Sequence, residues 1–362
     1  MSGLLGGEEL AWETTYRQPA VVSAFDSDIA EQSAALRNLV EAVIAHPLRL
    51  PDVRGFDRVV LTGMGTSHHS ALPSWRHLVA ARLPAWWLST AALLDSPQLI
   101  TDRTLLVITS QSGRSGELIA LLQRLETDIR RPRLLIGITN DATSPLASAG
   151  DLVLELMAGV ESAVSTKSYL NSLAAHHLLF AGVDGGSTES TYAAVRVAAR
   201  ELEPWSPSGE RLNSVAARIV QAATPRVVLI GSENQVASVS MGALLLKEVT
   251  KLPAESFIGG EFRHGPLELA GPGLVAVVFT GSGGRTSLSR LADDVGATGS
   301  LAVEVGAAPS STAEPVVTPA THELSQLAMD AKFIQLLCAA TARAAGVTPG
   351  EFRFGQKVTS QL

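Results

Sequence analysis

Two stretches of this 362-residue chain combine residue types and spacings that could do chemistry. The first is Leu105-Leu-Val-Ile-Thr-Ser-Gln-Ser-Gly-Arg-Ser115, an apolar run that breaks into hydroxyl and glycine residues before an amphipathic segment, Glu117 to Leu125. It reads as strand, tight polar loop and helix. Such a loop sets Ser110, Gln111, Ser112 and Ser115 beside the free N–H groups of a helix N-terminus, where unpaired donors and partial positive charge favour a phosphate. The plainer reading is that serine and glycine merely cap and turn, as any α/β loop requires. The second stretch is Leu244-Leu-Leu-Lys-Glu-Val-Thr250, followed by Glu255-Ser-Phe-Ile-Gly-Gly-Glu-Phe-Arg-His-Gly-Pro266. Glu248 lies late on an otherwise apolar helical segment, where a buried carboxylate is costly unless it is paired or used. Pairing with Lys247 or Arg263 is one account, and service as a general base is the other. Glu255 and Glu261 fall in a loop-like, glycine-bearing stretch where solvent keeps them ordinary acids.

The elements that must position these residues repeat. Arg58-Val-Val-Leu-Thr-Gly63 recurs 168 residues later as Arg226-Val-Val-Leu-Ile-Gly231, and Thr109-Ser-Gln-Ser-Gly-Arg-Ser115 is echoed by Thr280-Gly-Ser-Gly-Gly-Arg-Thr286. Each half continues with two further strand candidates (134–139 and 152–156; 300–305 and 315–318) and a long helix (166–181; 323–345). Strands alternating with helices predict an α/β fold of two doubly wound parallel sheets, with ligands at the carboxyl ends of the strands. The spacing predicts a leader over 1–46, with helices from Pro19 to His46 packing on the first domain; domains over 47–190 and 208–345; and a tail over 346–362. The turn-rich 184–208 stretch is the boundary, with a helix near 190–202 inside it. The second copy has Ser232-Glu-Asn-Gln where the first has Met64-Gly-Thr-Ser, so only the first looks equipped to hold phosphate.

Hydrophobic content of 46% and 17% charge describe a well-buried chain. A net charge of −7 and a pI near 5.7 argue against nucleic acid or an anionic membrane as partner. The single cysteine, Cys338, has no internal disulfide partner, and neither a signal peptide nor a membrane-length apolar run is visible; a cytoplasmic location is expected. His68 and His69 suit a helix start, lack a second ligand cluster, and give no expectation of a metal. His176 and His177 read as packing or dimer contacts, and Trp86 and Trp87 as buried where a loop enters a strand.

Gly65-Thr-Ser67, Ser110-Gln-Ser-Gly-Arg-Ser115, Glu161-Ser-Ala-Val-Ser-Thr-Lys-Ser-Tyr169, Lys247-Glu248, Gly260-Glu-Phe-Arg-His-Gly-Pro266 and Lys357-Val-Thr together resemble the SIS (sugar isomerase) family. The resemblance covers nearly the whole chain. It is to the double-SIS proteins, which include the isomerase half of glucosamine-6-phosphate synthase and the SIS-type glucosamine-6-phosphate deaminases. It implies two repeated SIS domains, each flavodoxin-like, and a sugar 6-phosphate held by Gly65, Thr66, Ser67, Ser110, Gln111, Ser112 and Ser115. Val164 and Ser165 would line the sugar site and Glu161 would stand beside the sugar. Glu248 falls at the family's proton-shuttling carboxylate, His264 at its ring-opening histidine, and Lys357 at the tail lysine that reaches the sugar carbonyl. A homodimer with shared active sites is implied, because the histidine commonly comes from the neighbouring subunit; no cofactor is.

Departures from the synthase favour the deaminases. The chain starts directly on the SIS leader and its only cysteine is Cys338, so glutamine is not expected as ammonia source. Leu245 replaces a lysine of the synthase, and Arg114 stands where the synthase has an acidic residue. The implied activity is conversion of glucosamine 6-phosphate to fructose 6-phosphate with ammonia release. The alternatives are a deglycase of amino-acid–sugar 6-phosphate adducts, another phosphosugar isomerase and, of a different kind, a non-catalytic sugar-phosphate sensor.

Overall fold

The computed structural model describes residues 22–47, 52–127, 130–162, 164–281 and 286–359. Pro19, the first residues of the leader and most of the Gly281–Thr286 echo lie outside the described residues. The strands are β1 (Arg58–Gly63), β2 (Ala85–Ser89), β3 (Thr104–Thr109), β4 (Leu134–Thr139), β5 (Leu152–Glu155), β6 (Arg226–Gly231), β7 (Ala254–Ile258), β8 (Leu274–Gly281), β9 (Leu301–Gly306) and β10 (Glu314–Val317). The first-half helices are α1 (Ala24–Ala30), α2 (Gln32–Ala45), α3 (Gly65–Ser70), α4 (Leu72–Ala80), α5 (Thr90–Asp95), α6 (Gly116–Thr127), α7 (Pro145–Ala149) and α8 (Lys167–Leu179). They are followed by α9 (Thr188–Leu202), α10 (Gly209–Gln221), α11 (Gln235–Thr250), α12 (Ser287–Ala297) and α13 (Glu323–Ala344).

The strands form two five-stranded parallel sheets, ordered β2-β1-β3-β4-β5 and β10-β9-β8-β6-β7. Read from the edge strand β7, the second order repeats the first, the doubly wound arrangement the repeat predicts. The apolar strands are buried on both faces, and alternate residues serve different cores. Val59, Leu61, Leu105 and Val107 join Val227, Leu229, Val275 and Val277 in one core shared by the two sheets. Val60, Leu106 and Ile108 turn to the opposite face under α6, and Val228, Ala276 and Val278 to the opposite face under α12.

The connecting stretch is more integrated than its turn-rich sequence suggests. Val195, Ala198, Ala199 and Leu202 of α9 are buried in the shared core, and α9 packs on α2 and α13. The leader helices likewise touch both halves: α2 lies on α8, and its Gln32 donates to Gln335 of α13 at 2.5 Å.

Two local expectations are corrected. Ala85–Ser89 and Ala254–Ile258 are edge strands; Glu255 therefore sits in a β-strand, not a loop. Trp86 is 37% exposed, with the Arg58 guanidinium 5.6 Å from its ring centroid; β2 pairs only with β1, so its outer edge has no neighbouring strand. Trp87 stacks on His68 at 4.3 Å and donates to the His68 carbonyl. Burial pushes the His68 and His69 imidazoles down to about 4, so both are neutral at pH 7. His176 is fully buried and bonds the Thr109 hydroxyl, whereas His177 is exposed.

One carboxylate sits in the core with little support. Asp330 of α13 is fully buried; Gln326 donates to its Oδ1 at 2.7 Å and its Oδ2 has no partner. Burial pushes its pKa up to about 8 against the pull of Gln326, so the group is largely protonated at neutral pH. No helix among the described residues is long and apolar enough to cross a membrane.

Candidate active site

The loops after β1 and β3, the approach to α8, the C-terminal half of α11 and the chain after α13 converge on one cavity of about 320 Å³. The β1 and β3 loops meet because Gly63 has no side chain: a Cβ there would lie 2.7 Å from the Thr109 carbonyl oxygen. Gly113 turns the β3 loop in the left-handed region, at φ +62°, where a Cβ would collide with Ser144. Arg114, the departure from the synthase pattern, points back to Asp141 at 2.9 Å and to the Thr143 carbonyl, pinning the loop from outside.

Gly65, Thr66, Ser67, Ser110, Gln111, Ser112 and Ser115 all line this cavity. Thr66 and Ser67 lie in the first turn of α3, which has no side-chain cap. The helix N-terminus after the β3 loop is less open than the sequence implies. The Gly116 N–H is taken by the Thr359 carbonyl of the tail at 3.0 Å, so hydroxyls must supply more of any anion's contacts.

Glu161, Val164, Ser165, Glu248 and Lys357 complete the lining. Glu161 is buried and accepts from the Thr166 N–H at 2.8 Å, the Ser168 N–H at 3.0 Å, both hydroxyls of these residues, and the Lys357 ammonium at 2.8 Å. Burial would raise its pKa, but Lys357 and the Ser168 donors outweigh that and hold it below the usual carboxylate range. Glu161 thus anchors the start of α8 and tethers the tail lysine; it is ill suited to take a proton.

Glu248 has the opposite character. Burial raises its pKa against the weaker pull of Lys251, Lys357 and Lys247. Neither partner considered from sequence holds it: Lys247 Nζ donates to the Ala254 carbonyl at 3.1 Å, and Arg263 pairs with Asp294 at 2.6 Å. A half-buried carboxylate whose pKa is raised by burial and that has no ion pair among the described residues is suited to take and return a proton. Lys251, the left-handed residue ending α11, bonds the carbonyls of Glu248 and Glu351 and ties α11 to the tail.

His264 is not brought to the cavity: it is exposed in the short turn after β7 and is not among the lining residues. Phe352, Gln356 and Ser168 line the site and were not singled out from sequence. Ser168 stands immediately before Tyr169 in the motif that carries the resemblance, whereas no local pattern marks Phe352 or Gln356.

A family model for the SIS domain matches residues 54–182. The chain carries an SIS domain. This SIS domain contributes the hydroxyl cradle and Glu161, and the second sheet, of the same strand order, contributes Glu248. A glutamine–fructose-6-phosphate aminotransferase (isomerizing) of Clostridium acetobutylicum is 27% identical over 271 residues, which is 70% of this chain and 44% of that protein. The chain spans roughly half the length of the curated relatives it matches. Among solved structures, the C-terminal domain of glucosamine-fructose-6-phosphate aminotransferase from Francisella tularensis aligns with a TM-score of 0.76 at 19% identity, covering 91% of this chain and 98% of that one. Glucosamine-6-phosphate deaminase from Thermotoga maritima aligns with a TM-score of 0.70 at 21% identity, covering 93% and 99%. The SIS domain and its repeat therefore have the fold of these proteins over almost their full length.

Proposed function

We propose that the chain is a phosphosugar isomerase of the SIS type that acts as a deaminase, converting glucosamine 6-phosphate and water to fructose 6-phosphate and ammonia. The observation that carries this reading is the single cavity in which phosphate-type hydroxyls face Glu248 and Lys357. In the proposed sequence, Thr66, Ser67, Ser110, Gln111, Ser112 and Ser115 hold the phosphate. Glu248 removes the C2 hydrogen of the open-chain aldose and returns it to C1. This yields a C2 imine, which water hydrolyses to the ketose with loss of ammonia. Lys357, tethered by Glu161, stabilises the oxyanion developing on O1. A sensor would need the cradle but not a half-buried carboxylate of raised pKa. The test is a panel of sugar 6-phosphates, with and without 2-amino groups, assayed for ammonia and ketose. Ketose formation without ammonia from every amino sugar would reduce the reading to an isomerase, and neither product would reject it.

Exposure of His264 away from the cavity supports a homodimer in which His264 of the partner subunit opens the sugar ring. Mixing inactive Glu248→Gln protein with inactive His264→Ala protein should restore part of the activity after subunit exchange, since mixed dimers then hold one intact site. No recovery after verified exchange would put both residues to work in one chain.

Ser110→Ala with Ser112→Ala is expected to raise KM by a hundredfold or more, at about 1.5–3 kcal/mol per lost charge-assisted hydrogen bond, with a smaller effect on kcat. Phosphate contacts are made equally in ground and transition states. An unchanged KM would remove phosphate from this loop.

A further inference from the structure

α11 ends on a residue that its backbone position does not favour. Lys251 stands just past the last turn at φ 63° and ψ 16°, the left-handed conformation that usually falls to glycine because a Cβ there crowds the following carbonyl. Its N–H bonds the Lys247 carbonyl at 3.1 Å, a closure that glycine would make equally well. The side chain does what glycine could not. The Leu252 N–H turns to the Thr250 hydroxyl at 3.2 Å, which leaves the Glu248 carbonyl open in the last turn, and the Lys251 ammonium donates to it. The helix dipole favours a cation at this end. The same ammonium donates to the Glu351 carbonyl of the tail at 2.6 Å, across 100 residues of sequence.

Beyond Glu351 the tail crosses to the SIS domain. Lys357 pairs with Glu161 at 2.8 Å, and the Thr359 carbonyl accepts from the Gly116 N–H at 3.0 Å. Both contacts register the tail on the half that carries the hydroxyl loops. The Lys251 bridge registers it on α11, the helix of Glu248, and Phe352, the residue after Glu351, lines the cavity. We propose that Lys251 is a positioning residue: its ammonium holds the tail against α11, and this sets Lys357 in place opposite Glu248 across the substrate. The work assigned to Glu248 and Lys357 rests on the deaminase reading above; the tether itself does not. Proton transfer between C2 and C1 and charge stabilisation at O1 must act on one bound sugar, and an error of about 1 Å in such an arrangement can cost about 10²-fold in rate. The phosphate hydroxyls lie on the loops after β1 and β3, away from the bridge, so substrate affinity should be spared.

The test compares Lys251→Gly and Lys251→Arg with the parent, as full chains, by amide hydrogen exchange and by steady-state kinetics on glucosamine 6-phosphate. Glycine suits the left-handed position, so the urea midpoint of Lys251→Gly should stay close to that of the parent. With the tail freed at Glu351, the buried Gly116 N–H should exchange about tenfold faster or more, because its acceptor is a tail carbonyl. In the same variant kcat should fall about 10- to 100-fold at its optimum pH while KM stays within about threefold. Lys251→Arg keeps the charge and the donors and should return kcat to within about fivefold of the parent. Parent kcat or parent Gly116 exchange in the glycine variant would overturn the proposal, as would an equal loss in the arginine variant or a loss confined to KM. A parent chain that forms neither ammonia nor ketose would instead reject the proposed reaction, and Gly116 exchange would then decide the tether by itself.

Discussion

Glu248→Gln is expected to leave sugar-phosphate binding within a few-fold of the parent and to lower turnover by about 10²–10⁴-fold, the contribution of a positioned proton-transfer group. Glutamine keeps the shape and hydrogen-bonding reach of the side chain and removes only the base. The surroundings make this sharper than for most surface carboxylates. Burial raises the Glu248 pKa, whereas Glu161, its neighbour across the cavity, is held low by Lys357 and the start of α8. Two carboxylates with pKa values pushed in opposite directions are suited, in the proposed reaction, to proton transfer and to electrostatic anchoring respectively. The discriminating measurement is solvent hydrogen exchange at C2 of a bound amino sugar phosphate, followed by NMR in D₂O. Exchange at the parent rate in the glutamine variant would make Glu248 structural.

Asp330→Asn is expected to stabilise the protein, and by more as pH rises. Burial raises the folded-state pKa of Asp330 to about 8, above the ordinary aspartate value of 3.8. The folded state therefore keeps a proton that the unfolded state releases between these values. The stability this proton confers is fully present below about pH 4 and is lost as pH rises toward 8. At 1.36 kcal/mol per pKa unit, the cost of the carboxyl at pH 7 is at most on the order of 4 kcal/mol. Asparagine keeps the acceptor for Gln326 and cannot ionise. Urea midpoints of parent and variant should differ little at pH 4.5 and diverge steadily to pH 8. A gain of equal size at both pH values would show that packing, not ionisation, distinguishes the two side chains.

The parts of the fold that were legible in the sequence are those where burial acts on both faces. Leu105 to Thr109 and Arg226 to Gly231 read as strands because both faces of a central parallel strand must be apolar. Two of the four edge strands were not legible: Ala85-Trp-Trp-Leu-Ser89 and Ala254-Glu-Ser-Phe-Ile258 have one strand partner each and a mixed composition, whereas the edge strands β5 and β10 were read at 152–156 and 315–318. The hydroxyl cradle was visible from local spacing, because its members lie within single loops. The role of Glu161 was not, since its lysine partner is 196 residues away and no local pattern records that pairing. Asp330 could have been found: a lone carboxylate within Leu327-Ala-Met-Asp-Ala-Lys-Phe-Ile334 breaks an apolar face as Glu248 does.

The salt bridge between Glu161 and Lys357 also sets a schedule. A ribosome adding about 5–20 residues per second needs roughly 10–40 s to supply the lysine after the glutamate has been made, given their 196-residue separation. During that interval the first sheet can form with its hydroxyl loops in place, while α11 and the tail are still being synthesised. A chain halted before Lys357 would keep nearly all of its core and still lack the counter-ion of a buried carboxylate. The nascent polypeptide thus acquires the counter-ion of its buried Glu161 only after Lys357 has been made, long after the first sheet is able to form.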